Sequence, residues 1–493
     1  MIRVMGASTI STAQAAGTHA GRIESAGRRM PRFDRGSLAL VAFATVVAVY
    51  LAFAPALFND GDTSWHLAAG RWMLDARSVP DTDPFSFTFA GKPWTAHEWL
   101  AEILMASVFA AASWSGLAVM TAGAVGGLVL LLGAELRRWL PVRRVIVALT
   151  LVTAMLAPFM LVRPHVMAWL LLAGWTIMLM RARERHRAPP PAAALLMVIW
   201  ANLHGSFVLG LVLVGVFALE ALLLEQDRRR AFAGWATFGL TSLGLSVLTP
   251  HFLHGLLYPI QVSSMKALPL IMEWRRTDLV RDLPFIAIVA GTAALLLIRR
   301  VRMSAVRVIL LAAILYLAFS HVRHQPLVAI LGTLLLAEPL SRLSQATPTR
   351  SSSGIALSAA AFALGMLLIA LVRIPLALPR RDSASNPVTA IRHVPSELRG
   401  QPVFNNYGFG GPLILAGIRP FIDGRGDMYG DALMLEHQRI SDGDANAFGH
   451  AVNRWRIRWT ILAPNDRLVP VLDRSAGWRR VHSDPWAVVH ARD

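Results

Sequence analysis

The strongest constraint on this chain is a series of apolar runs, each close to the thickness of a membrane. A helix needs roughly 18–20 apolar residues to cross the hydrocarbon core. The first run covers residues 37–58. Others follow at 117–136, 145–161, 164–181, 192–204, 206–224, 231–249, 283–299, 306–320, 326–340 and 355–376. The shorter ones imply tilted, broken or partly inserted helices. The chain is 55% hydrophobic and only 16% charged over 493 residues, which is the wrong balance for a soluble protein of this size. The expected fold is an all-α polytopic membrane protein of about 11 transmembrane helices. The first run is not expected to be a cleaved signal, because it is long, follows a polar tail at 1–36 and lacks a small-residue cleavage site. That tail is expected to be disordered and cytoplasmic.

The net charge of +18 comes almost entirely from arginine, since Lys92 and Lys266 are the only lysines. The arginines gather in short connectors at 137–144, 181–187, 228–230, 299–307 and 342–350. This is a topology signal rather than a nucleic-acid surface. All five connectors fall on the cytoplasmic side if the N-terminus is inside and residues 99–114 do not cross. That stretch, with a tryptophan at each end, is therefore expected to be an interfacial or re-entrant helix on the outer side. The chain has no cysteine, which excludes disulfide and thiolate chemistry. Arginine and alanine abundance with almost no lysine suggests a bacterial source, and the expected location is the inner membrane. The partner implied first is the lipid bilayer; no nucleic acid is expected.

This topology puts polar connectors at 59–98, 162–165, 202–206, 249–282 and 320–325 outside. It leaves residues 37–376 as the membrane domain. Residues 377–493 carry Pro, Gly and Asp punctuation and short β-like runs at 402–404, 420–422, 459–462 and 487–490. They are expected to form a small extracytoplasmic α/β domain, beyond a polar linker at 345–354.

The outer connectors hold the chemistry. Asp60-Gly61-Asp62 stands directly after the first run, with His66 four residues beyond Asp62 and so on the same helix face. Two carboxylates so close can hold a divalent cation, with Glu98 as a further ligand, or one can act as a general base. The plainer reading is that Asp62 or Thr63 caps the following helix. That leaves Asp60 and His66 without a role. Glu98 fits the start of the interfacial helix as a dipole partner. Arg163 and His165 lie at a tight turn, Glu273 and Arg275 in the fourth connector, and Arg323 and His324 in the fifth. Outer arginines run against the positive-inside bias, and guanidinium groups fit phosphates, so these suggest a pocket for an anionic head group. Lys92 and His204, the latter between Asn202 and Gly205, complete the candidate set. The sequence requires no cofactor; a divalent cation is the one it would accommodate.

An acidic pair after the first span, an interfacial helix, many further spans and an outer C-terminal domain together resemble the GT-C glycosyltransferases. That family includes protein O-mannosyltransferases, aminoarabinose transferases and oligosaccharyltransferases. The resemblance covers the layout of residues 37–376 and, in motif, Asp60-Gly61-Asp62 and the stretch from Gly91-Lys92-Pro93-Trp94 to Glu98. It implies transfer of a sugar from a polyprenyl-phosphate donor to a glycan, lipid or protein acceptor at the outer membrane face. It implies a first-loop Asp as base, with Asp60 nearest the family position and Asp62 equally available. Arg163, Arg323 and Lys92 would stabilise the departing phosphate. Many members carry Asp where this chain has Arg163-Pro164-His165, which departs from a metal-binding second loop. A non-catalytic accessory protein of polysaccharide assembly, or a polysaccharide ligase or polymerase, stands as the alternative. A transporter is disfavoured, because the runs hold almost no charge.

Overall fold

The computed structural model describes residues 34–343 and 353–493. Residues 1–33 of the polar tail and most of the 345–354 linker lie outside these. Apolar helices form one bundle: α1 (Arg35–Phe53), α2 (Asp62–Ala76), α3 (Trp99–Leu136), α4 (Val142–Leu156), α5 (Pro164–Glu184), α6 (Leu195–Leu203) and α7 (Phe207–Leu224). They are followed by α8 (Arg228–Ser246), α9 (Phe252–Ser263), α10 (Leu283–Ile298), α11 (Ala305–Ser320), α12 (Gln325–Leu327), α13 (Thr333–Ser341) and α14 (Ser353–Arg373). A π-helical stretch, Val328–Gly332, joins α12 to α13 as one rod. Among the described residues, six helices are long and apolar enough to cross a membrane, and three shorter apolar ones accompany them. Helices occupy all eleven apolar runs.

Helix α3 is two helices. Ala112 and Ser113 leave helical geometry, Ser113 with φ of 53°, so the 99–114 stretch is a separate arm. That arm packs against α2 at Gly70, where a Cβ would lie 2.0 Å from Glu102 O. Only glycine permits this approach. At the same end of the bundle, buried Arg373 ties three helices by donating to Ala52 O at 2.8 Å, Ser115 Oγ at 3.0 Å and Leu376 O at 2.8 Å. At the opposite end Glu135 takes Arg138 and Arg181, and Glu220 takes Arg183 and Arg307. The basic connectors therefore also cross-link helices.

The C-terminal residues form a four-stranded sheet with order β1-β2-β4-β3: β1 (Val403–Asn405), β2 (Trp459–Leu462), β3 (Trp478–Ser483) and β4 (Val488–Arg492). β1 and β2 are parallel; β2–β4 and β3–β4 are antiparallel, with an irregularity between Arg480 and His482. The expected strand at 420–422 is absent. Its backbone is satisfied by side chains instead: Asn405 accepts from Phe421 N–H at 2.8 Å and donates to Ile422 O at 2.8 Å. β3 escaped the sequence reading because it is an edge strand, charged and largely open to solvent.

Candidate functional site

The site begins where α1 ends. A short turn, Pro55–Phe58, delivers Asn59 and Asp60, and α2 starts at Asp62. The N-cap position of α2 is Gly61, and the carboxylate that serves its first N–H groups is that of Asp60, not a side chain of Asp62 or Thr63 as the sequence suggested. That carboxylate accepts from the N–H groups of Asp62 and Thr63, both at 3.3 Å, and from Thr63 Oγ1. Two residues of spacing allow this because Gly61 lets the chain turn against the C-terminal domain. A Cβ at Gly61 would lie 2.1 Å from Gly408 O.

Opposite stands Arg163. Pro164 at the first position of α5 starts that helix abruptly. Arg163 is extended just before it, and its side chain reaches α2. Its Nε and Nη2 both meet Asp60 at 2.5 Å, Nη2 meets Asp62 at 2.7 Å, and Nη1 meets Glu273. One planar guanidinium thus serves three carboxylates from distant parts of the chain. Its fork geometry suits this, whereas an ammonium would not.

The two aspartates are unequal. Burial pushes the Asp60 carboxyl up, but Arg163 and the hydrogen bonds outweigh it and hold the group below the usual range. Burial pushes Asp62 up to about 7, with Asp60 and Glu273 adding to the rise against the pull of Arg163. Asp62 also lies against the C-terminal domain, since a Cβ at Gly424 would sit 1.9 Å from its Oδ1. Burial opposes Glu273's charge, yet Arg163 and Arg323 hold its carboxyl low.

A second cluster adjoins the first. His66 turns toward the α3 arm, with Nδ1 3.0 Å from Glu102 and Nε2 3.8 Å from Glu98. Glu98 also faces His204 Nε2 at 3.3 Å. Ser206 N–H donates to His204 Nδ1 at 3.0 Å, which leaves the ring proton on Nε2, toward Glu98. Burial keeps His66 neutral and pushes Glu98 up. Glu102 was missed from sequence; its signal was its spacing of four from Glu98. His165 is engaged structurally, its Nε2 bonded to Phe159 O at 2.9 Å.

Arg323 and His324 sit on a turn bound to the Glu273 loop: His321 bonds Trp274 O at 2.8 Å, and Val322 N–H bonds Arg275 O at 3.0 Å. The Arg323 guanidinium lies 4.4 Å above the Trp274 ring and, among the described residues, has no carboxylate partner. His324 bonds Leu317 O at 3.3 Å. Two predicted residues are not brought in. Arg275 is spent on Asp282, at 2.7 and 2.8 Å, closing its own loop. Lys92 is exposed on a turn, its ammonium 4.2 Å above the Phe89 ring.

Arg425 stands outside the candidate set drawn from the sequence. Fully buried, it joins Asp423 at 2.6 and 2.8 Å to Asp83 of the first connector at 2.7 Å. Rather than reaching outward, Asp423 and Arg425 clamp the first connector onto the C-terminal domain. Thr88 Oγ1 adds a bond to Phe421 O at 2.6 Å.

Solved structures share the fold of this chain. The oligosaccharyltransferase of Archaeoglobus fulgidus, solved in complex with zinc and sulfate, aligns over 86% of this chain and 68% of its own, with TM-score 0.54 and 12% identity. ArnT from Cupriavidus metallidurans, solved bound to undecaprenyl phosphate, aligns over 92% of this chain and 98% of its own, with TM-score 0.50 and 14% identity. The fold is that of the GT-C membrane glycosyltransferases. No protein-family model and no curated protein matches the sequence. Within the GT-C fold a divalent cation is the group to test for. Here the residues do not fit one. Among the described residues no three His, Asp or Glu side chains are set to hold an ion, and Glu98 belongs to the imidazole cluster rather than to Asp60 and Asp62. Arg163 occupies the point on which the two aspartates converge.

Proposed function

We propose that this chain transfers a sugar from a polyprenyl-phosphate donor to a hydroxylated envelope acceptor, with Asp62 as general base. The observation that carries this is the inequality of the two aspartates within a GT-C fold. Asp60 is fully engaged as cap and counter-ion, whereas Asp62 is held near neutrality with a side chain 23% exposed. A base poised near the working pH is the effective one. The acceptor O–H gives its proton to Asp62, and its oxygen attacks the anomeric carbon. The bond from that carbon to the phosphate oxygen breaks, and polyprenyl phosphate leaves with the electron pair. Arg323, over Trp274 and in no salt bridge among the described residues, is the cation for that phosphate. Arg163 holds Asp60 and Asp62 together and stands where a metal would otherwise be needed. Polyprenyl phosphate as donor lipid is supported by the ArnT complex.

The same reading assigns residues 37–376 to an eleven-span domain in a bacterial inner membrane, with N-terminus inside, and residues 377–493 to the outer side. The test is sugar transfer in membranes from radiolabelled polyprenyl-phosphate sugars. Asp62→Asn should lower transfer about 10²–10⁴-fold at unchanged protein level. Full activity in that variant would sink the assignment and favour the accessory or ligase alternatives.

A further inference from the structure

A cavity of about 490 Å³ lies between α4 and α10, with α11 and the rod from Val328 to Ser341 completing its wall. That volume is within the roughly 300–1,000 Å³ of small-molecule sites. Apart from Thr292 and Thr333 the wall is apolar along its length. The space exists because α10 stands off from the bundle: of its residues Phe285 alone is buried.

Two arginines stand at one end. Arg144 lies in the first turn of α4 and Arg299 directly follows α10, and both line the cavity. No acidic side chain lines it, and neither arginine makes an ion pair among the described residues. The other arginines at this end are spent: Arg138 and Arg181 on Glu135, Arg183 and Arg307 on Glu220, and Arg342 on Glu338. Two unmatched guanidinium groups at the mouth of an apolar space suit a phosphate that carries an apolar chain.

The length is that of one leaflet. From Arg144 to Met155 along α4, and from Ile288 to Arg299 along α10, the wall runs about 16 Å at 1.5 Å per residue. Half of a hydrocarbon core of about 30 Å is about 15 Å. A phosphate at the arginines therefore leaves room for one chain reaching the bilayer midplane. The donor phosphate has its cation elsewhere, since Arg323 lies beyond the far end of α11, a helix of 16 residues or about 24 Å.

We propose that this cavity holds one acyl chain of an anionic phospholipid, with its phosphate on Arg144 and Arg299. In the topology proposed above, the lipid belongs to the cytoplasmic leaflet, where basic pockets between spans take anionic head groups. The proposal needs the membrane reading but not the glycosyl-transfer one, so each can fail alone. The test is native mass spectrometry of the detergent-solubilised full chain, titrated with dioleoyl phosphatidylglycerol or dioleoyl phosphatidylcholine. Phosphatidylglycerol should bind about 10–30-fold tighter, and the double variant Arg144→Gln, Arg299→Gln should lose that preference. Both positions are exposed, so the variant should melt with wild type when lipid-free. Gly332→Leu fills the wall from a position where a Cβ has no neighbour nearer than 3.9 Å, and should weaken phosphatidylglycerol binding about threefold or more. Equal binding of the two lipids overturns the proposal, as does a preference that survives in the double variant. Phosphatidylglycerol binding unchanged in Gly332→Leu also overturns it, because the chain then lies outside the cavity.

Discussion

Removing the Arg163 charge should be the most damaging single change at the candidate site. At an effective dielectric constant of 20, a charge pair at the 2.7 Å Arg163–Asp62 separation interacts by about 6 kcal/mol, an upper figure because burial has already cost both groups their hydration. Asp60 and Glu273 add further pairs. Breaking a buried pair by deleting one partner costs about 3–5 kcal/mol, so Arg163→Met should destabilise the fold by that order. Arg163→Lys keeps the charge but cannot span three carboxylates, and each charged hydrogen bond lost costs about 1.5–3 kcal/mol. The assay is thermal melting of purified protein followed by fluorescence-detected size exclusion across pH. The sign follows from the carboxyls. In the native protein, Asp60 is held low by Arg163, so its stabilisation is present above the unfolded value of about 3.9 and is lost as pH falls through its folded value. In Arg163→Met the uncompensated carboxyls have raised folded values, so that variant loses stability as pH rises from about 3.9 through them. Both effects make the gap to wild type largest at neutral pH and close it toward pH 4. A variant melting with wild type at neutral pH, or a gap that widens in acid, would refute the reasoning.

Other consequences are simpler to check. Transfer by the wild type should fall about tenfold per pH unit below about 7, the range to which Asp62 is pushed; a flat profile between pH 5 and 7, measured as kcat/KM, would exclude Asp62 as base. Gly424→Ala puts a methyl 1.9 Å from Asp62 Oδ1 and 2.8 Å from Trp65 Nε1 and should cost about 10²-fold in kcat together with about 1–3 kcal/mol of stability. Arg425→Met should cost about 3–5 kcal/mol and release the first connector, read as new protease cleavage near Gly91. Arg323→Met should raise KM for the lipid donor, whereas Arg275→Ala, whose partner is Asp282, should leave transfer within about twofold.

The sequence by itself determined where the apolar helices lie along the chain. Apolar length and arginine spacing act locally along the chain, so the runs became helices and the 99–114 stretch separated at Ser113 as a distinct arm. It also marked Asp60, Asp62, Arg163 and Glu273 as candidates, because a charge in an outer connector between apolar runs stands out wherever it later sits. Their division of labour was not legible. A carboxyl's charge state depends on which groups desolvate and face it, and Arg163 and Glu273 reach Asp62 only after about 100 and 210 residues of intervening chain fold. The same holds for Lys92 and Arg275, identical in type to useful cations but placed on an open turn and in a closed local pair. Asp423 and Arg425 became a buried cross-link only when the first connector brought Asp83 to them. Residue type and spacing chose the candidates; the tertiary contacts chose among them, because Coulomb and desolvation energies depend on distance in space and not along the chain.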